Sequence, residues 1–133
     1  MQTLSLYLVT AVFFLIVDAL MLTNVIKPLF ERHLGDALRE SPALAPAAIF
    51  YLFYVAGVVF LASLPALAEA SPFKALWMGG LLGAMAYGTY EFTNLATLRN
   101  WSWQMVAVDF TWGIVLTGVS AFVGVWTVLR FSG

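Results

Sequence analysis

The sequence predicts an all-α protein, a four-transmembrane-helix up-down bundle with a short interfacial helix between helices 1 and 2. Three observations lead there. Of the 133 residues, 62% are hydrophobic and only 10% charged, a balance far from that of a soluble domain. Four stretches, residues 4–26, 46–67, 73–98 and 103–129, reach the ~20 mostly apolar residues that a spanning helix needs. The second and third connections are only a few residues long, which makes consecutive helices antiparallel neighbours. A single integral membrane domain over 1–133 is expected, with no internal repeat.

Each element carries its own punctuation. Met1 to Val17 has no basic flank and is interrupted by Asp18, so it reads as a retained span rather than a cleaved signal. Lys27-Pro28 is expected to end it. In the first loop Leu29, Phe30, His33, Leu34, Ala37 and Leu38 recur at helical spacing against Glu31, Arg32, Asp36, Arg39 and Glu40, the pattern of an amphipathic helix lying on the membrane surface. Ser41-Pro42 and Pro46 precede the second span, Ser71-Pro72 the third, and Arg99-Asn100 closes the third. Pro46 and Pro72 suit a first helical turn, where the missing N–H costs nothing. Lys27, Arg32, Arg39 and Arg99 fall on the face of loops 1 and 3, against Lys74 and Arg130 on the other. That bias predicts cytoplasmic loops 1 and 3, and periplasmic termini.

Composition excludes several functions. A net charge of -1 offers no basic surface to hold nucleic acid by its phosphates. Without cysteine there is no disulfide, thiolate metal site or thioether haem attachment. His33 is the only histidine and stands in a loop, so neither a nitrogen-rich metal site nor a serine triad is available. No cofactor and no metal are expected.

The informative residues are three acids. Asp18 lies nine residues before Lys27, Glu91 eight before Arg99 and Asp109 seven after Ser102; at ~1.5 Å per residue each sits roughly 10–14 Å from the same loop face. An ionised carboxylate in hydrocarbon costs at least ~2.5 kcal/mol, so such groups face a bundle interior, a partner or a wet cavity. Tyr51 and Tyr54 reach the same level from the second helix. Gly80, Ala84, Tyr87, Glu91 and Asn94 form one stripe, as do Asp109, Gly113, Thr117, Ser120 and Gly124. Small residues mark helix contact faces in lipid, so both acids are expected to point inward. Trp77, Trp101, Trp103 and Trp126 fall near span ends, as in an aromatic belt, whereas Trp112 lies deeper, one turn from Asp109.

The candidate ligand-binding residues are therefore Asp18, Glu91 and Asp109, assisted by Asn94, Tyr54, Tyr87, Arg99 and Trp112. Three readings stay open: interhelical glue, a site for a cation, a proton or a polar headgroup, or a base acting on a lipid-soluble substrate. Expected partners are membrane lipids and either further copies of the chain or a larger membrane complex, to which it would be an accessory subunit.

The segments Ala47–Gly57, Tyr87–Arg99 and Val108–Gly113 together resemble a family of small bacterial membrane proteins defined as a domain of unknown function. The resemblance covers nearly the whole chain and includes an acid in the first helix, matched by Asp18. The family usually has Tyr-Asp-x-Thr-Asn where this chain has Tyr90-Glu91-Phe92-Thr93-Asn94, followed by Leu95-Ala96-Thr97-Leu98, and often has tryptophan where Met21 stands. The resemblance implies a multi-pass protein of the bacterial inner membrane and no particular activity.

Overall fold

A computed structural model describes residues 2–39 and 43–132, which are helical almost throughout, with no strand among them. Glu40, Ser41 and Pro42 lie outside the described residues. The chain runs through α1 (Gln2–Met21), a π-helical turn (Leu22–Ile26), α2 (Lys27–Leu34) and a 3-10 turn (Gly35–Ala37). It continues through α3 (Leu44–Val58), a second π-helical turn (Val59–Ser63), α4 (Leu64–Ala68), α5 (Pro72–Thr97) and α6 (Trp103–Ser132).

Among the described residues three helices are long and apolar enough to cross a membrane: Gln2–Ala37, Leu44–Ala68 and Trp103–Phe131. With 26 residues α5 has the length, about 39 Å at ~1.5 Å per residue. It is less apolar because it devotes a face to glycine, tyrosine, threonine, glutamate and asparagine.

The first helix does not break at Lys27-Pro28 as the sequence suggests. It continues helically from Gln2 through Leu34, and the physical reason lies one turn earlier. A proline ring collides with the carbonyl four residues back. For Pro28 that residue is Asn24, which sits in the widened turn Leu22–Ile26, where Lys27 N–H bonds the Leu22 carbonyl five residues back. Pro65 is passed in the same way. Its clash partner, Leu61, lies in the turn Val59–Ser63, and Leu64 N–H bonds Val59 O. The amphipathic segment after Pro28 is thus a continuation of α1, ended by Gly35 at φ 53°, a left-handed conformation that glycine adopts without strain. Its apolar face has a protein partner, since Leu29 is buried with Trp101, Met105 and Val106. Its charged face, with Glu31, Arg32 and Asp36, is exposed.

The helix α6 is the hub. Half of its apolar window is buried inside the protein, against 28% for the other two long apolar helices. Its most extensive partner is α5, followed by α1. The α5–α6 seam is made by glycines: a Cβ at Gly83 would overlap the Gly113 carbonyl, one at Gly113 would overlap the Tyr87 ring, and one at Gly79 would lie 2.9 Å from the Thr117 carbonyl oxygen. Close backbone approach is how helices gain contact in lipid, where no hydrophobic force separates a leucine from an acyl chain. On the α6 stripe Asp109, Gly113, Thr117, Ser120 and Gly124 are all buried. On α5 the buried line is Ala75, Gly79, Gly83 and Glu91, one residue away from Gly80 and Ala84, which are half-buried.

Candidate functional site

Short turns at the α5–α6 end set the geometry. Helix α5 closes as Leu98 N–H bonds the Asn94 carbonyl at 2.8 Å, and α6 begins as Met105 N–H is capped by Ser102 Oγ at 3.2 Å. Between them Trp101 folds inward. It is 8% exposed, not set in an outward aromatic belt as its position by the loop suggests. Its ring packs edge-on against Phe30 at 5.2 Å and Tyr90 at 5.6 Å, and its Nε1–H donates to Glu91 Oε1 at 2.8 Å.

Glu91 is fully buried. Its Oε2 has no hydrogen-bond partner among the described residues, and its carboxyl group faces that of Asp109 across the α5–α6 seam. Asp109 and Asp18 are each 8% exposed. Asp18 enters from α1 and accepts a hydrogen bond from Trp112 Nε1 at 3.0 Å, tying α1 to α6.

Asp18 and Asp109 line one cavity of about 590 Å³, within the range of small-ligand sites. Tyr51, Tyr87, Tyr90, Phe50 and Phe30 supply its aromatic wall, Ala86 and Thr89 join them from α5, and Leu22 and Ile26 close it on the α1 side. Tyr51 lies beside Asp18. Leu22, Phe50 and Tyr90 are also exposed on the outer surfaces of their helices, so the cavity opens sideways, between helices.

The structure thus brings together some of the expected residues and separates others. Asp18, Asp109 and Tyr87 share the cavity wall, while Glu91 stands behind it, against Asp109. Tyr54 is not a wall residue; its hydroxyl is 2.9 Å from Thr117 Oγ1. Trp112 touches Asp18 from outside the cavity. Asn94 is half-buried beside Tyr90, and Arg99 is exposed. Among the described residues the one ion pair joins Lys74 to Glu69 in the α4–α5 turn, so Arg99 pairs with none of the acids. No group of three His, Asp or Glu side chains among the described residues is placed to hold a metal ion. His33 Nδ1 hydrogen-bonds the Leu29 carbonyl at 3.0 Å.

Sequence reasoning did not count Tyr51, Tyr90, Phe30 and Phe50 as site residues, and set Trp101 aside. A signal for the first wall existed. Asp18, Leu22, Ile26 and Phe30 follow one another every four residues, a repeat that stays on one face when a π turn intervenes.

Long apolar helices, a glycine-packed seam and buried acids facing the interior define a polytopic helical membrane protein. The family model described as a predicted membrane protein, DUF2177, matches residues 3–126, and the chain belongs to that family. No curated protein and no solved structure compared with the chain matches it.

Proposed function

We propose that this protein binds a cation or the polar head of an amphiphile inside the membrane, in the cavity walled by α1, α3, α5 and α6. The supporting observation is the pair Asp18 and Asp109, nine-tenths buried on two different helices and both lining a space large enough for a ligand. Pure interhelical glue would close around its carboxyl groups, because an unfilled polar void between helices forfeits packing on every side. Asp18 and Asp109 act as the recognising groups, and Glu91, held by Trp101, backs Asp109.

In this reading α5 is the fourth span of an up-down bundle, supported by its 26 residues and its short turns to α4 and α6. The protein sits in a bacterial inner membrane with loops 1 and 3 on the cytoplasmic side, supported by the four-to-two distribution of basic residues. The α2 segment lies near that surface. A 36-residue helix is about 54 Å long, well beyond the ~30 Å hydrocarbon core.

Native mass spectrometry of the detergent-extracted protein tests the proposal. The wild type is expected to retain a cation or lipid saturably, and Asp18→Asn/Asp109→Asn to lose it while remaining folded by circular dichroism. Equal retention by both proteins, or none by the wild type over the lipids and cations of its host membrane, rejects the cavity as a binding site.

A further inference from the structure

We infer that the group held in the cavity is an organic ammonium. This rests on the binding reading above and adds the chemistry of its ligand. The first argument is the sign of the walls. Among the described residues every ionisable side chain lining the cavity is an acid or a tyrosine, with no lysine, arginine or histidine. Lys27 and Arg99, the basic residues nearest in sequence to Asp18 and Glu91, are exposed.

Second, Asp109 is nine-tenths buried and turned to the cavity, yet its polar neighbour on the protein side is Glu91, another acid. Glu91 in turn has Oε2 buried without a partner. Two facing carboxyl groups, one with a buried oxygen left unpartnered and neither met by a cationic side chain among the described residues, call for a ligand that brings N–H groups and positive charge together, because a buried acceptor left unpaired is costly.

Third, five aromatic rings stand in the remaining wall, beside Leu22, Ile26, Ala86 and Thr89. Phe30, Phe50, Tyr51, Tyr87 and Tyr90 line the cavity with the two carboxyl groups, and ring faces attract an ammonium where water is excluded. A bare metal ion needs a close cluster of ligands, which the described residues do not form. A proton needs no space of about 590 Å³. A primary ammonium on an organic headgroup makes use of such a space, donates up to three hydrogen bonds and meets the rings with its methylenes.

A lipid headgroup and a water-soluble amine share this chemistry. The lateral opening past Leu22, Phe50 and Tyr90 favours an amphiphile whose chain stays among the membrane lipids. The experiment uses the full chain in micelles of a neutral maltoside detergent, which carries no ammonium group. It titrates phosphatidylethanolamine and phosphatidylglycerol of identical acyl chains, with aqueous ethanolamine as competitor, and reads Trp112 and Trp101 fluorescence together with bound lipid by native mass spectrometry. Phosphatidylethanolamine should bind at least about tenfold tighter than phosphatidylglycerol, a ratio within reach of one desolvated cation–π contact. Asp109→Asn should bring the ratio close to one, and Phe50→Ala, on the exposed rim, should reduce it by about threefold while leaving the fold intact. Failure of ethanolamine to compete assigns the ammonium to a lipid, and competition at equal affinity assigns it to a soluble amine. Equal binding of the two lipids, or a preference unchanged in Phe50→Ala and Asp109→Asn, overturns the ammonium assignment and leaves the binding reading standing. Absence of saturable binding by either lipid and by ethanolamine overturns the ammonium assignment, and the binding reading falls with it if the native mass spectrometry screen of host lipids and cations is also empty.

Discussion

The two sides of α6 are built differently. Toward α5 it meets a seam in which Gly79, Gly83, Gly113 and Gly118 bring backbones into direct contact. By contrast, α1 and the α3–α4 helix touch each other sparsely. Along that looser contact lies a space of about 520 Å³ between Tyr7, Val59 and Phe60, and where it meets α5 the cavity of Asp18 and Asp109 opens. A tight pair of helices thus holds Glu91 and Asp109 at a fixed separation, while a more loosely attached pair leaves room beside them. Rigid placement and access to a ligand are needed together at any site, and here they are assigned to different helix pairs.

The sharpest way to break this contrast is to add one methyl group on each side. Gly83→Ala forces a Cβ into the Gly113 carbonyl, a backbone atom that cannot swing away, so the cost should reach about 3 kcal/mol, the upper end for overpacking. Gly57→Ala in α3 meets nothing within 4 Å and should be neutral or stabilising by up to ~1 kcal/mol through helix propensity. Reversible unfolding in mixed micelles measures both. Similar losses at the two positions would show that the sides are packed alike.

Trp101→Phe sharpens the comparison at the end of the seam. It keeps the ring between Phe30 and Tyr90 but removes the indole donor to Glu91 Oε1, leaving both oxygens of a fully buried acid without a partner among the described residues. A loss of about 1–3 kcal/mol is expected, and Glu91→Gln in the same background should recover part of it, since an amide buries more cheaply than a carboxylate. If Trp101→Phe costs nothing, the indole is only packing.

How far these features were legible follows from their physics. The inward direction of α6 could be read because Asp109, Gly113, Thr117, Ser120 and Gly124 mark one stripe by size and polarity, and all five are buried. On α5 two adjacent glycine lines, through Gly79 and Gly80, are equally plausible by composition. Only the facing backbone of α6 selects Gly79 and Gly83. Pro28 reads as a stop because a π turn has no compositional mark, yet the widened turn at Leu22–Ile26 lets the helix through. That added turn carries Leu22 and Ile26 to the cavity edge below Asp18. Trp101 reads as a belt residue because its depth, four residues ahead of Met105, is all that sequence gives. The inward fold of the α5–α6 turn is set by tertiary contacts with α2.

Two hydroxyl bonds give a smaller and finer test of the same contrast. Tyr54 reaches across to Thr117 on α6 at 2.9 Å, half-buried, whereas Tyr7 donates to the Leu52 carbonyl at 3.0 Å on the exposed α1–α3 side. Both hold the looser helices, the first to the hub and the second only to each other. Hydrogen bonds between membrane helices average about 0.6 kcal/mol, because the unfolded chain in lipid finds other partners. Tyr54→Phe should therefore lose about that amount, leaving Thr117 Oγ1 without its partner on a buried face. Tyr7→Phe should lose less, because the Leu52 carbonyl keeps its helical bond and water or headgroups reach that groove. Unfolding of the two single variants and of the double variant measures the difference. If Tyr7→Phe proves the costlier, the α1–α3 contact carries more of the attachment than its sparse packing implies, and α6 is not the sole anchor of that side.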